Sequence, residues 1–267
     1  MYKPQYKTSN KGVPILKDID IDFFAEAFLR DFKPGLLSEP QEIDIEDFSE
    51  NYLGLVPAYI DLSSNKSVLG KMVFNNTKKI PIYRPDLHQA DYITAKRGTM
   101  MIDNSLLEEK TEYRLRSTTG HESGHWVLQQ EYFTVNPYQI SFFPSLQFTS
   151  TACRKEDIEG NCMGKRELET EHDWLEHQAK VFSAAILMPK STFTMAAMDS
   201  TLRKNIRNSC GGFEEDQILA DHLSTIFNVS QASAKIRLSK LGLSMEEEYK
   251  RLQQQGQREL FYIAAGE

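Results

Sequence analysis

His121-Glu122-Ser123-Gly124-His125 is the stretch whose residue types and spacing could do chemistry. In an α-helix, residues four apart lie one above the other, because four steps overshoot one turn only slightly. Two imidazoles at that spacing can reach one metal ion. Glu122 stands beside them, where a carboxylate could accept a proton from a metal-activated water. This is the H-E-x-x-H pattern of zinc-dependent peptide hydrolysis. The bland reading is two histidines falling together on a surface helix. The chemistry requires a helix under the motif and a third ligand.

The helix is expected from the flanks. Thr111-Glu112-Tyr113-Arg114-Leu115-Arg116 leads in and Trp126-Val127-Leu128-Gln129-Gln130 follows. Leu115, Thr118, Thr119, Glu122, Trp126 and Gln129 recur at helical spacing, but the polar members make a weak amphipathic pattern. Gly120 and Gly124 disfavour a helix and so point to close packing around the motif. For the third ligand, the candidate segment is the strong helix pattern of residues 173–187. Leu175, Ala179, Phe182 and Ile186 mark its apolar stripe, Asp173 is the expected N-cap and Pro189 the stop. Glu176 in its first turns would complete a two-histidine, one-carboxylate set. Glu171, His172 and His177 compete with it, and the chemistry of the residues alone leaves that choice open.

The elements that must position these groups follow in chain order. Residues 1–17 read as an irregular lysine-rich lead. Asp20 is expected to cap a helix to about Asp31, with Phe24, Ala27 and Phe28 on its buried face and Pro34-Gly35 ending it. A second helix opens around Asp44 and carries Ile45, Phe48 and Tyr52. Strands are expected at 58–62, 68–74, 80–83 and 98–103, with Pro81 suiting an edge. If the last strand were itself an edge, it could hold an extended polypeptide across the metal. Residues 133–170 read as a long insertion. Glu214–Ile226 and Ser230–Lys240 read as two helices around Asn228-Val229-Ser230, a helix-turn-helix-like arrangement with Lys235, Arg237 and Lys240 adding positive charge. The tail, 245–253, reads as a charged, solvated helix. The predicted organisation is an α+β fold. It comprises an N-terminal helical region (1–57), a catalytic domain with a small antiparallel sheet (58–200) and a C-terminal helical segment (201–267).

Composition narrows the function class. The 267 residues are 40% hydrophobic and 26% charged, which suits a globular chain of one large or two small domains. A net charge of −7 argues against a chain built wholly as a nucleic-acid binder. No apolar run of membrane-spanning length occurs, and Met1–Lys7 lacks the apolar core of a signal peptide. Three cysteines do not suggest a disulfide framework, so a reducing cytoplasm is the expected compartment. Cys153, Cys162 and His172 could form a second zinc site, but their spacing lacks the usual close cysteine pair.

Two motifs together resemble the ImmA/IrrE family of metallo-endopeptidases. The family pattern H-E-x-G-H-W-x-L is matched by His121–Leu128. The pattern E-x-[QE]-A-x-x-[FL]-A-x-x-L-L-M-P is matched by Glu176–Pro189. The likeness spans roughly residues 68–243 and includes the closing helices around Leu219–Leu223 and Ala234–Leu238. It implies a zincin-like fold with His121, His125 and Glu176 as zinc ligands and Glu122 as general base. It also implies a helix-turn-helix repressor as the protein substrate, as in mobile elements and stress responses. Ser123 stands where leucine is usual, Ser183 where alanine is usual, and Gln129-Gln130 where a histidine is frequent.

Manganese suits the same ligands. Tyr113, Tyr132, Tyr138 and His172 are candidate oxyanion donors. Two rival readings remain: a DNA-binding regulator with a structural metal, and a protein that sequesters a repressor without cutting it. Packing of the C-terminal helices is favoured over direct DNA binding, since a fold likeness does not establish DNA contact.

Overall fold

The computed structural model describes residues 1–133, 153–154 (backbone only), 168–209, 214–246, 248–249 and 251. It is a mixed α+β structure of two compact units. The first comprises residues 1–36 and 43–189, and the second comprises residues 37–42 and 190–267. Most of the N-terminal helical region therefore belongs to the same unit as the H-E-x-x-H helix and does not stand apart as 1–57. The reason is aromatic packing. Helix α1 (Asp18–Phe32) buries Phe24 and Phe28, and the Phe28 ring meets Phe182 edge-on with centroids 5.9 Å apart. Asp44 caps the single turn α2 (Ile45–Asp47) through the Asp47 amide. A wider turn, Phe48–Tyr52, continues it and brings Phe48 against Phe28 and Phe32.

Helix α1 begins three residues earlier than expected. Lys17 is its N-cap, and Asp20 sits in the first turn with its carboxylate accepting the Lys17 amide at 2.9 Å. The carboxylate does the same electrostatic work three positions further in, at N3.

Among the described residues, the principal sheet has four strands in the order β1-β5-β2-β6: β1 (Val56–Ile60), β2 (Val68–Met72), β5 (Thr99–Asp103) and β6 (Cys153–Arg154). Antiparallel pairing joins β2 to β5 and to β6, while β1 lies parallel to β5, in register from Val56 opposite Thr99 to Ile60 opposite Asp103. Strand β5, for which the sequence left edge and interior positions open, is thus interior. A separate antiparallel ribbon joins β3 (Thr77–Arg84) to β4 (Gln89–Ala95). Sequence reading missed β4, although Gln89–Ala95 alternates; its burial is slight, so the apolar signal is weak. Leu62, Val73, Ile80, Ala95 and Met101 form a core cluster drawn from the principal sheet, the ribbon and their connections.

Helix α3 (Glu112–Phe133) packs on β2 and β5, with α4 (Glu171–Leu187) along it. The α4 cap is Thr170, whose side chain accepts the Asp173 amide while Asp173 accepts the Thr170 amide. Asp173 is therefore the reciprocal partner of the cap and not the cap itself. The N-terminal lead is ordered against these helices. The Tyr6 hydroxyl donates to the Leu128 carbonyl at 2.5 Å, Gln178 Nε2 donates to the Pro14 carbonyl at 2.7 Å, and Lys11 pairs with Glu171 at 2.6 Å.

The second unit contains α5 (Lys190–Ala197), α6 (Ser200–Ser209), α7 (Glu215–Phe227) and α8 (Gln231–Lys240). The first two were not anticipated. Asn228 takes the left-handed conformation that ends α7 (φ 48°), and Ser230 caps α8 by accepting the Ser233 amide at 3.1 Å. Arg203 is buried within this unit. It donates to the carbonyls of Ala197 and Leu243 and pairs with Glu248 at 2.6 Å. Of the three cations noted on the last helix, Arg237 is buried while Lys235 and Lys240 are exposed. Met245, at the start of the expected solvated tail, is buried. Among the described residues, no helix is long and apolar enough to cross a membrane.

Candidate functional site

Helix α3 runs through the first unit with almost no solvent face. Arg116, Thr118 to Trp126, Leu128, Gln129 and Phe133 are all buried. This explains its weak amphipathic pattern: neighbours on several sides select for fit, not for one apolar stripe. Small residues permit the approach. A Cβ on Gly124 would lie 3.0 Å from the Ala179 carbonyl oxygen and 3.1 Å from Phe182 Cβ. One on Gly120 would lie 2.8 Å from Ser183 Oγ. The two motif glycines are therefore where α3 meets α4. Ser183, one of the departures from the family pattern, is accommodated there by donating to the Ser117 carbonyl at 2.8 Å. Ser123, another departure, is buried with its hydroxyl making no hydrogen bond.

This packing brings His121, His125 and Glu176 together, with one donor atom from each lying within 4.8 Å of the others. His121 Nε2 is 3.0 Å from His125 Nε2 and 3.1 Å from Glu176 Oε2, and His125 Nε2 is 3.4 Å from Glu176 Oε1. Ligand atoms bonded tetrahedrally to zinc at about 2.0–2.2 Å stand roughly 3.3–3.6 Å apart. The observed separations are within a few tenths of an ångström of that. Glu176 Oε1 is buried without a hydrogen bond, and the three potential donor atoms crowd one small space. The donor set therefore fits a divalent transition metal.

The competing ligands have other partners. His177 Nε2 is 2.8 Å from Asp18 Oδ1, which ties α4 to α1, and Glu171 accepts from Lys11 and from the Tyr132 hydroxyl. His172 is largely exposed, with Nδ1 3.9 Å from Glu176 Oε1, at the margin of the cluster. Of the proposed oxyanion donors among the described residues, His172 is the one with an ion-pair contact to the cluster. Tyr113 is 40% exposed, Tyr132 is engaged by Glu171, and Tyr138 lies outside the described residues. The Cys153–Cys162–His172 possibility also involves residues outside them, since Cys162 and the Cys153 side chain are not described.

Glu122 is fully buried beneath β2. A Cβ on Gly70 would lie only 2.6 Å from Glu122 Oε1 and 2.8 Å from Thr118 Cγ2. Gly70 thus leaves the space that the carboxylate occupies, a role with no motif to announce it. The next strand residue, Lys71, is buried and donates from Nζ to the Pro81 carbonyl at 2.7 Å. Burial holds its pKa below the ordinary lysine value against the opposing charge of Glu122. A lysine inside the apolar run 68–74 was the available signal for it.

The electrostatics are those of imidazoles and carboxylates packed together in a buried space. Burial disfavours a charged His125. The Glu176 carboxylate, then Glu122 and the Gln129 bond, outweigh that and raise its pKa from 6.5 to about 9. Glu176 is opposed by burial but held well below the usual carboxylate range by His125 and His121. His125 Nδ1 contacts Gln129 Oε1 at 2.6 Å, and Gln129 Nε2 donates to the Leu175 carbonyl at 2.7 Å. From the sequence, Gln129 stood out only as one of the residues recurring at helical spacing and as part of a departure from the family pattern.

Comparison with protein-family models finds no match, and comparison with curated proteins finds none.

Proposed function

We propose that the chain is a zinc-dependent endopeptidase of the ImmA/IrrE type, with a zincin-like catalytic unit. The observation that carries this reading is the convergence of His121, His125 and Glu176 beside a fully buried Glu122. A bare H-E-x-x-H helix does not require a carboxylate from a second helix to meet it. Here that carboxylate is the one the resemblance names.

His121, His125 and Glu176 would hold the zinc. When bound, zinc would polarise the scissile carbonyl and make water acidic near neutral pH. Glu122 takes a proton from the attacking water as its oxygen bonds to the carbonyl carbon. As the C–N bond breaks, Glu122 delivers that proton to the leaving nitrogen. Its enclosure by α3 and Gly70 keeps the carboxylate in one position, and Lys71 supplies a cation on the strand beside it. His172, whose Nδ1 stands 3.9 Å from Glu176 Oε1, is the donor we assign to the developing oxyanion. Manganese suits the same donors.

The proposed substrate is a helix-turn-helix repressor, cut site-specifically in the cytoplasm. The reading is tested with such a repressor from the same genetic neighbourhood, incubated with wild-type protein and with Glu122→Gln. Fragments from the wild type, absent with the variant at equal zinc content, are expected. Equal cleavage by both would refute the base. The helix-turn-helix-like pair α7–α8 keeps a second reading open: a regulator that binds DNA or sequesters a repressor around a structural metal. The burial of Arg237 and the net negative charge weigh against direct DNA contact. Salt-sensitive retention of duplex DNA by the full chain would favour it.

A further inference from the structure

Buried hydrogen-bond chains have a direction wherever one member can only donate or only accept. The chain His125–Gln129–Leu175 has such a terminus. The Leu175 backbone carbonyl can only accept, so the Gln129 amide nitrogen must face it, as the 2.7 Å contact shows. The Gln129 carbonyl oxygen must then face His125, where it too can only accept, at 2.6 Å from Nδ1. The Nδ1 atom therefore carries the proton. In the neutral ring that leaves the Nε2 lone pair toward His121 and Glu176. All three members of the chain are buried, and Gln129 has no solvent exposure, so no water competes for these bonds.

We propose that Gln129 is the positioning residue of the metal centre. It fixes His125 in the one tautomer whose Nε2 can ligate, and it ties the two metal-bearing helices together at that point. The second function follows from where the amide nitrogen is anchored. Leu175 immediately precedes Glu176, so the bond that orients His125 on α3 also holds the backbone beside the carboxylate ligand on α4. One side chain sets both the ring's protonation pattern and the spacing between helices. The inference rests on the metal-site reading above. It also accounts for the departure at this position: an imidazole, like a carboxamide, offers one donor and one acceptor, and so can serve the same two partners.

The test uses the full chain as wild type, Gln129→Met and Gln129→His. Methionine keeps the length and apolar volume but neither polar bond, whereas histidine keeps a donor and an acceptor. Zinc dissociation constants are measured by chelator competition, and imidazole proton–nitrogen spectra report which ring nitrogen of His125 bears hydrogen. Gln129→Met is expected to weaken zinc by about 10–100-fold and to lose the protected Nδ1–H signal. Gln129→His should stay within a few-fold of wild type. Zinc affinity unchanged in a folded Gln129→Met would overturn the proposal, and so would equal loss in the methionine and histidine variants. If Gln129→Met does not fold, the wild-type spectrum decides: a His125 proton on Nε2, or zinc on Nδ1, overturns the assignment. Wild-type protein that holds no zinc would instead sink the function proposed above. The neutral-ring spectrum of metal-free protein at alkaline pH would still decide the tautomer.

Discussion

Gly124→Ala asks how closely α3 and α4, which carry the proposed ligands, must approach. The added Cβ would stand 3.0 Å from the Ala179 carbonyl oxygen, 3.1 Å from Ala179 Cα and 3.1 Å from Phe182 Cβ. Relaxed carbon contacts are about 3.5–4.0 Å, so α3 and α4 must separate by roughly 0.5 Å. Two of the three obstructing atoms are backbone and cannot rotate away. Such overpacking costs about 1–3 kcal/mol. Alanine returns up to about 1 kcal/mol through its better helix propensity. The net loss, about 0–3 kcal/mol, lowers the melting temperature by at most about 12 °C. Metal binding should suffer disproportionately. His125 follows Gly124 on one side of the contact, and Glu176 lies three residues before Ala179 on the other. Metal–ligand distances tolerate only about 0.2 Å, so a displacement of this size should weaken zinc on the order of tenfold or more. Chelator competition and thermal melts of metal-free protein measure the two effects separately. Wild-type zinc affinity in Gly124→Ala would refute the close-packing argument. Gly120→Ala is the internal control, because its nearest obstacle is the removable Ser183 Oγ at 2.8 Å. Ser183→Ala in that background should recover at least about 0.5 kcal/mol of stability.

Three further outcomes are expected. Glu176→Ala should abolish tight zinc binding while His177→Ala leaves it nearly intact, because His177 is engaged by Asp18; the opposite order in metal titrations would exchange their roles. Gly70→Ala should displace Glu122 at a cost of about 1–3 kcal/mol and reduce peptide hydrolysis more than zinc content; undiminished hydrolysis would show that the carboxylate has room to spare. The pKa of His125 is raised from 6.5 to about 9, so its stabilising proton is present below pH 6.5 and leaves as pH rises through 9. Metal-free protein should therefore lose denaturant stability across that window, while apparent zinc affinity climbs about tenfold per pH unit as the competing proton departs. A rise in metal-free stability between pH 6.5 and 9 would contradict the sign.

Much of the site was legible along the chain, and the reason is local periodicity. Residues 121, 122 and 125 belong to one helical turn, so their proximity follows from helix geometry without any tertiary contact. The same holds for the turn between α7 and α8, where Asn228 and Ser230 act through bonds to their near neighbours. The third ligand was different. Glu171, His172, Glu176 and His177 share one segment, and residue chemistry alone did not separate them. Packing of α4 on α3 turned Glu176 inward and gave His177 and Glu171 to Asp18 and Lys11. Strand order was equally hidden: β5 is interior only because β1 joins it in parallel from forty-three positions away, Val56 opposite Thr99. Gly70, Lys71 and Gln129 carry no motif. Their roles come from what a buried environment forbids, namely a Cβ against Glu122, an unpaired ammonium and an undirected imidazole. The sequence by itself determined which groups could ligate; only the tertiary structure decided which of them meet, because that depends on contacts between residues some fifty positions apart.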